Sequence, residues 1–345
     1  MSAGARAQRR ARLRDHMECN GVEAVVLRRP ENFAWYTGGG NSRVEYVSPL
    51  GAADVVVTDD SEYVLASTIE GPRMRNEQAT DFEVVEYPWH EGPDDVLHEL
   101  VGDAALGADF PLEGVIDLGE ELGRLRRALD AIAIARLRAV GADLGAALTE
   151  AANAVGPGIG EDEAAAAIAA ACRRRGLVAT VLLAATDERI RAYRHPLPAG
   201  AVLDQRAMLV ASAQRGGLYA NLTRIVNFDE PDPETARRQT ACDEILGRMR
   251  QEATRPGRTL AQAFQDCCRF YEEAGFPEEW RLHHQGGITG YASREVIATP
   301  FTDVEIEAGQ AFAWNPSITG AKAEETFVLT EAGPEIVTGT APTIA

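Results

Sequence analysis

The sequence predicts an α+β protein built of two domains, residues 1–130 and 131–345. Its 345 residues are about the length of two ordinary domains. Short apolar strands alternate with helices over the first 130 residues, which describes a small α/β domain. After residue 130, long helices and groups of strands follow one another in runs, which indicates a second domain of different architecture.

The first domain begins with an amphipathic helix over residues 7–20, which Asn20-Gly21 ends. Asn32 to Gly40 then joins an aromatic cluster to a glycine-rich hinge. Runs of apolar residues predict strands at 24–27, 54–58, 63–66 and 82–87, and the remaining periodic segments predict helices at 93–101 and 120–129.

The second domain begins with an alanine-rich helix over residues 131–154, which Gly156-Pro157-Gly158 stops. A helix over residues 161–175 follows, with acidic residues in its first turn and arginines in its last, as the helix dipole favours. The rest of the domain is predicted to contain strands at 180–184, 207–213, 218–227, near Glu295, 311–315 and 325–330, with helices at 232–250 and 260–274.

The charge balance argues against a polyanionic partner. The chain has 34 Lys and Arg against 53 Asp and Glu, a formal net charge of -19, so it would repel nucleic acid. No apolar run approaches the roughly 20 residues of a membrane helix, and no secretory signal is recognised. The five cysteines are odd in number and lack C-x-x-C spacing, which is typical of reduced thiols. We therefore expect a cytoplasmic protein with no membrane partner.

The stretch from His283 to Glu295 is the densest candidate site. It places two imidazoles, three glycines, a guanidinium and a carboxylate within thirteen residues. Glycines let the backbone approach a ligand closely, and the flanking His and Arg supply a titratable base and a fixed cation. A glycine-rich turn that carries surface charge explains the same pattern, and both interpretations stay open at this point.

Two further segments carry ionisable groups. His195 lies on a loop that Pro196 stiffens, so its imidazole is either held in a defined direction or is an ordinary surface histidine. In the segment from Lys322 to Thr326, strand alternation turns one of Glu324 and Glu325 inward. An inward carboxylate needs a partner, so it belongs either to a structural ion pair or to a site.

Four motifs, taken in order, resemble those of the creatinase, aminopeptidase P and prolidase family. The resemblance covers nearly the whole chain and implies a pita-bread catalytic domain preceded by a smaller creatinase-like α/β domain, with a homodimer as the assembly. The matching segments are Asn32 to Gly38, with Trp35 in the place of a tyrosine, Gly217 to Arg224, Ala311 to Pro316, and Ala323 to Thr326.

The peptidases of that family bind two divalent ions through two Asp, one His and two Glu. The resemblance assigns these five ligand positions to Val210, Asn221, Gly287, Asn315 and Glu324. Only the last retains its charged side chain, and one carboxylate with two amides does not neutralise two cations. We therefore expect no dinuclear metal centre, no other cofactor and no ordinary aminopeptidase activity.

Creatinase, the metal-free branch of the family, fits the sequence better. Its His-x-x-Gly and Tyr-x-x-Arg-Glu pattern is similar to the segment containing His283, Gly286, Tyr291, Arg294 and Glu295. The resemblance implies that Arg294 holds a substrate carboxylate and that Glu324 contacts a guanidinium. His195 occupies the loop of the catalytic histidine, with an alignment about two residues shorter. Thr223 stands where a second glutamate falls, which argues against creatine itself.

These matches predict a metal-independent enzyme that acts on a carbon–nitrogen bond of a small carboxylate-bearing substrate, by hydrolysis, elimination or cyclisation. His195 is expected to act as general base and then acid, His283 as a second proton-transfer or hydrogen-bonding group, and Glu324 as a hydrogen-bond acceptor. The expected substrate-binding residues are Arg294, Tyr291, Thr223, Asn221, Asn315, and Arg43 from a partner subunit.

Two other readings stay open. The first is a catalytically retired homologue that binds a small ligand or a partner protein. The second is a residual metallopeptidase that holds one metal ion through Glu324, His195 and His283.

Overall fold

The computed structural model describes residues 3–339. Contacts within the chain divide it into two compact units, Met1–Arg126 and Arg127–Ala345. The division lies close to the sequence-based boundary at residue 130.

The first unit contains a six-stranded mixed sheet in the order β4-β3-β2-β1-β5-β6. The antiparallel pairs are β1 with β2 and β2 with β3, and the other neighbours are parallel. The strands are β1 (Ala24–Leu27), β2 (Ala53–Thr58), β3 (Glu62–Ser67), β4 (Glu83–Tyr87), β5 (Leu106–Ala108) and β6 (Ile116–Asp117). The helices are α1 (Ala3–Asn20), α2 (Pro30–Thr37), α3 (Gly71–Arg73), which continues into a π-helical turn, α4 (Asp94–Val101) and α5 (Gly119–Arg127).

The sequence analysis predicted no helix for the aromatic cluster, but the chain forms helix α2 there, and the glycine hinge at residues 38–40 follows the end of that helix. Pro30 lies in the first turn, where its missing N–H costs nothing, and Gly38 ends the helix in the left-handed conformation with φ 76°. The aromatic residues of the segment are buried, and the Asn32 side chain donates to Oδ2 of Asp109 at 2.8 Å. The aromatic cluster is therefore the packed face of a helix.

The second unit is built from a three-stranded antiparallel sheet, β7-β8-β9, and a five-stranded antiparallel sheet, β11-β10-β12-β15-β16, with a separate two-stranded pair, β13-β14. The strands are β7 (Val178–Thr186), β8 (Arg206–Arg215), β9 (Leu218–Asn227), β10 (Gly286–Thr289), β11 (Val296–Ile297), β12 (Ala311–Trp314), β13 (Ser317–Ile318), β14 (Ala321–Lys322), β15 (Glu325–Thr330) and β16 (Gly333–Ile336). The helices are α6 (Ala131–Ala154), α7 (Glu161–Arg174), α8 (Asp187–Ala192), α9 (Pro233–Arg248) and α10 (Leu260–Glu273).

Each sheet of this unit is covered by two helices. α6 and α7 bury small apolar side chains against β7 to β9, and α9 and α10 bury larger aromatic side chains against the five-stranded sheet. The sheets meet where β9 lies beside β15, and there the Asn221 N–H donates to the Thr326 hydroxyl at 2.8 Å. Side chains on the inner faces of both sheets therefore converge beside this junction.

The paired carboxylates near the C-terminus are both buried and both paired. Glu324 forms ion pairs with Arg294 and Lys322, and Glu325 forms one with Arg250. The expectation that strand alternation turns only one of them inward was therefore wrong. Because both side chains are buried, each carboxylate needs a cation.

Candidate functional site

The hairpin β8–β9 supplies one wall of a cavity of about 310 Å³. Its register places Val210 opposite Thr223 and Ser212 opposite Asn221. Alternate residues of both strands pack against α6 and α7, so the remaining ones are turned to the opposite side. Val210, Ser212 and Asn221 line the cavity, and the apolar side chains of Val181, Leu183 and Leu197 complete this side.

Three imidazoles stand together at the cavity. His195 follows α8, and His283 and His284 precede β10, which brings distant parts of the chain to one place. Nε2 of His283 lies 3.0 Å from Nε2 of His195, and Nδ1 of His283 lies 3.1 Å from the Ser317 hydroxyl oxygen. The ring of His284 lies 4.6 Å from that of His283, centre to centre. Ser317, His283 and His195 therefore form one hydrogen-bonded chain.

The surroundings keep all three imidazoles neutral. Burial, the main cause, and the Lys322 charge together lower the pKa of His283 to about 2. Burial and the Arg294 charge lower the pKa of His284 to about 4. The pKa of His195 is also lowered, by burial first and then by Lys322. Neutral imidazoles can accept or donate a proton, as general acid–base chemistry requires.

Glu324 lies at the centre of a buried ion cluster. Lys322 Nζ is 3.1 Å from its Oε2, Arg294 Nη2 is 2.9 Å from its Oε1, and the Thr223 hydroxyl donates to Oε2 at 3.0 Å. Burial alone would raise the pKa of Glu324, but the two cations hold it down to about 2. The carboxylate is therefore ionised, and the cluster carries one net positive charge.

The structure brings most of the predicted site residues together. His195, Arg294, Asn221, Asn315 and Glu324 line the cavity. Thr223 reaches it through its hydrogen bond to Glu324, and His283 stands behind His195.

Gly287, which the resemblance assigns to the histidine position of a metal centre, offers no side-chain ligand and is not among the residues that line the cavity. Its φ is 151°, and a side chain there would lie 2.2 Å from the backbone oxygen of Val296, so only glycine fits. His284, three residues earlier in the chain, lines the cavity instead.

Tyr291 and Arg43 are not placed at this cavity. Tyr291 is 2 % exposed and does not line it, so direct substrate binding by its side chain is not supported by this geometry. Arg43 belongs to the first unit, where its guanidinium donates to the Ser48 carbonyl at 2.9 Å and lies 3.7 Å from the Glu31 carboxylate.

Sequence reasoning missed several residues at the site, chiefly Lys322, His284, Ser212, Ser293 and Ser317. For Lys322 a signal was available, because it is the single lysine among the 34 basic residues of the chain. That lysine is 4 % exposed, so it does not serve as a solvated surface charge. The serines are too common in loops and strands for the sequence to single them out.

Two family models match the chain. A model described as Creatinase/Prolidase N-terminal domain matches residues 9–140, and one described as Metallopeptidase family M24 matches residues 135–331. None of the curated protein sequences compared with the chain matches it.

Solved structures match over nearly their full lengths. The prolidase from Pyrococcus horikoshii has a TM-score of 0.81 at 15 % identity, covering 98 % of this chain and 100 % of that one. The dipeptidase PepE from Mycobacterium ulcerans has a TM-score of 0.80 at 19 % identity, covering 100 % and 98 %. The N-terminal domain of FACT complex subunit SPT16 from Eremothecium gossypii has a TM-score of 0.72 at 13 % identity, covering 99 % and 97 %. The predicted pita-bread domain with a smaller creatinase-like domain is confirmed.

A metallopeptidase family implies bound metal ions, and the side chains at the cavity do not fit two of them. Val210 offers no donor, and the Asn221 amide is engaged with Ser293 and Thr289 at 3.1 and 3.3 Å. Glu324 is the single carboxylate among the described residues that line the cavity, and two cations already neutralise it. Divalent ions of this kind need several charged oxygens.

One metal ion has a different set of donors available. His195, His283 and His284 each place a ring nitrogen within 4.8 Å of the others, and imidazole is a good ligand for zinc and related ions. However, His195 and His283 are hydrogen-bonded to each other, and the charges of Lys322 and Arg294 oppose another cation here. The same charges that lower the pKa values of these imidazoles disfavour a metal ion.

No helix within residues 3–339 has the length and apolar character that crossing a membrane requires.

Proposed function

Because the chain belongs to metallopeptidase family M24, we propose that it is a hydrolase of carbon–nitrogen bonds whose site works without metal ions. One observation carries the proposal: Lys322 and Arg294 pack on Glu324, the single carboxylate of the cavity lining, beside three imidazoles. In this site, fixed side-chain cations take the place of metal charge, and imidazoles supply proton transfer. The family and the shared fold support hydrolysis over elimination or cyclisation.

The polar atoms of the cavity support a small substrate that carries both a carboxylate and an N–H group. Within the described part of the chain, three buried atoms of lining residues have no hydrogen-bond partner: Arg294 Nε, Asn315 Oδ1 and His284 Nδ1. An unpaired buried donor or acceptor costs free energy, so a ligand that pairs with it gains affinity. Arg294 would take the carboxylate, and Asn315 would accept from the N–H.

The cavity also limits the size and shape of the substrate. Its volume of about 310 Å³ lies at the lower end of the usual range for ligand pockets, roughly 300–1,000 Å³. The apolar wall of Val181, Leu183 and Leu197 faces the charged wall of the same cavity. A small acid with an apolar portion, such as an N-acylated or N-carbamoylated amino acid, meets both requirements.

In the proposed reaction His195 acts as general base. It removes a proton from a water molecule as the oxygen attacks the carbon of the scissile bond, and it returns that proton to the leaving nitrogen as the bond breaks. Lys322 and Arg294 stabilise the negative charge that develops on the attacked group. General acid–base catalysis of this kind contributes roughly two to four powers of ten in rate.

His283 would act on His195 through the hydrogen bond between them. In one arrangement His195 donates from Nε2 to Nε2 of His283, which donates from Nδ1 to the Ser317 hydroxyl oxygen. In the other, His195 carries its proton on Nδ1, His283 donates from Nε2 to His195, and the Ser317 hydroxyl donates to Nδ1 of His283. Because burial lowers the pKa of His283 to about 2, it stays neutral in both arrangements. His283 is thus proposed as a positioning residue that selects the tautomer of His195.

The test is a screen of N-carbamoyl, N-amidino and N-acyl amino acids with enzyme freed of metal by EDTA. Turnover that survives EDTA and disappears in His195→Ala is the expected result, with circular dichroism confirming that the variant is folded. Turnover that EDTA abolishes and Mn²⁺ restores would exclude the metal-independent mechanism. Full activity in His195→Ala would remove that residue from the chemistry.

A non-catalytic binding protein is the second candidate. It is favoured by the replacement of acidic positions in the cavity and by the shared fold with the SPT16 domain, which is a subunit of a complex. A retired homologue would bind a carboxylated ligand tightly and release it unchanged. Calorimetric binding without product formation, over a screen of the same compounds, would support this candidate and exclude the hydrolase.

We also propose that the protein is a homodimer and that Arg43 acts at the site of the partner subunit. The support is the resemblance to creatinase stated above, and light scattering after gel filtration tests the assembly. For the role of Arg43, Arg43→Ala is expected to raise the substrate KM without changing the oligomeric state. An unchanged KM would exclude this role.

A further inference from the structure

A second cavity, of about 280 Å³, lies among β9, α9 and the segment from Lys322 to Glu325. It shares Lys322 and Glu324 with the candidate site, but its other lining residues are different. The proposed hydrolysis makes no use of it. Its lining is strongly charged, which is unusual for an enclosed space that serves only packing.

Arg224 is the charged group of this cavity that lacks good partners. Its side chain is buried, with 7 % of the residue exposed. Within residues 3–339, Nε has no hydrogen-bond partner, and the two terminal nitrogens lie 3.4 Å from the Thr223 carbonyl and 3.5 Å from the Gly339 carbonyl. Hydrogen bonds of this type ordinarily measure 2.7–3.2 Å. The guanidinium therefore makes two long hydrogen bonds and leaves Nε unpaired within this part of the chain.

The carboxylates around Arg224 are each engaged elsewhere. Glu325 forms an ion pair with Arg250, Glu324 is held by Lys322 and Arg294, and Asp243 accepts a hydrogen bond from Gln239 at 3.1 Å. No ion pair to Arg224 is formed by the residues that the structure describes. Glu325 acts on Arg224 only at a distance, and a buried cation without a direct ion-pair partner is costly, so the arrangement is suited to an anion from outside.

We propose that this cavity is a second ligand site, in which Arg224 binds a small oxyanion, a carboxylate or a phosphate group. The planar guanidinium offers parallel N–H donors that match either group in bidentate fashion. A volume of about 280 Å³ is large enough for a simple anion such as phosphate, and also for a small organic acid or phosphate ester that carries the anionic group. Because Lys322 and Glu324 also line the candidate active site, an anion bound here alters the field at that site.

Lys322, the single lysine of the chain, serves as an NMR probe of anion binding. Protein grown with ¹³C-labelled lysine gives one side-chain ε-CH₂ signal, that of Lys322, which borders both cavities. Titration of the full chain with inorganic phosphate, and separately with acetate, is expected to shift this signal saturably. The anion with the lower Kd identifies the class of oxyanion. Failure of both anions to bind the wild type would overturn the proposal.

Variants locate the binding site. Arg224→Gln is expected to weaken binding more than tenfold, since a charged hydrogen-bonding pair is lost. Arg294→Gln, in the other cavity, is the matched control and should weaken binding far less than Arg224→Gln does, since it removes a charge that acts only through Glu324. Loss of binding in Arg294→Gln with retention in Arg224→Gln would place the anion in the active site and overturn the proposal.

A second pair of variants tests whether the anion binds at Arg224, even if Arg224→Gln fails to fold. Arg250→Gln releases the Glu325 carboxylate, which can then pair with Arg224, so anion binding should weaken although Arg224 remains. Glu325→Gln removes that carboxylate and leaves two guanidinium groups, so anion binding should tighten about tenfold. Equal Kd values for these two variants would contradict a site built on Arg224.

Discussion

The ammonium group of Lys322 lies 3.1 Å from Oε2 of Glu324, and the two residues are only 4 % and 6 % exposed. Well-packed apolar residues would often be at least as stable as a buried ion pair of this kind, so stability alone does not account for the pair. Here the pair stands at the cavity with the imidazoles, where the family description leads one to expect metal ions. The predictions below follow from this replacement of metal charge by side-chain charge.

The first prediction concerns metal binding. Wild-type protein dialysed against micromolar Mn²⁺, Zn²⁺ or Co²⁺ should retain far less than one ion per chain, measured by inductively coupled plasma mass spectrometry. The variant Val210→Asp/Asn221→Asp/Asn315→Glu restores three carboxylates and should retain more Mn²⁺ than the wild type. One ion per wild-type chain, lost when His284 is replaced by Ala, would instead establish a three-histidine metal site.

The second prediction concerns the pKa of His195. Burial, Lys322 and Arg294 lower this pKa, so the neutral base persists below its ordinary titration range. Lys322→Met removes one positive charge, so the pKa should rise and the base form should be lost at a higher pH. Histidine NMR titration measures this directly, and the acidic limb of the kcat/KM profile should move in the same direction. Lys322→Arg keeps the charge and is the control; an equal shift in both variants would exclude the electrostatic cause.

The third prediction concerns stability at acidic pH. Burial lowers the pKa of His283 to about 2, whereas the unfolded chain has the ordinary value near 6.5. Between these values the unfolded state binds a proton that the native state does not, so stability falls as the pH falls below about 6.5. The loss is at most about 1.4 kcal/mol per pH unit from this residue.

Urea unfolding at pH 7, 6 and 5 measures that dependence. The slope should be smaller in His283→Gln than in the wild type. His98→Gln, which replaces an exposed histidine on α4, is the control for the loss of an imidazole. Equal slopes in the wild type and His283→Gln would contradict a neutral buried His283.

The fourth prediction concerns the ion cluster. Glu324→Gln leaves Lys322 and Arg294 buried without their carboxylate, which should cost about 3–5 kcal/mol of unfolding free energy. The double variant Lys322→Met/Glu324→Gln removes one of the two unpaired charges. It should therefore be more stable than Glu324→Gln alone, and a double-mutant cycle from urea unfolding gives the coupling energy. Additive losses would mean that the two side chains do not interact.

Much of the fold could be predicted from local sequence patterns. The helix over residues 131–154 and the strand over 218–227 have the predicted bounds, because a long alanine-rich segment and an alternating segment leave few alternatives. Short elements escaped prediction: helix α8 and strands β13 and β14 have six residues or fewer. Segments of that length are stabilised by the neighbours that they contact, and those neighbours are distant in sequence.

The residues of the candidate site were also predicted only in part. The order and spacing of the motifs were sufficient to point to His195, His283, Arg294 and Glu324. The spacing did not single out His284, which lines the cavity, since the order of residues at a strand end does not show which side chain reaches a cavity.

The sequence by itself determined the family, the two-domain organisation and the replacement of acidic residues at the aligned positions, because these depend on residue identity and order. Only the tertiary structure decided that His283 bonds to His195, 88 residues away, that Lys322 is buried against Glu324, and that Arg224 Nε has no hydrogen-bond partner among the described residues. The physical reason is that burial and electrostatic pairing depend on distances in space, and a folded chain sets those distances through packing between elements remote in sequence.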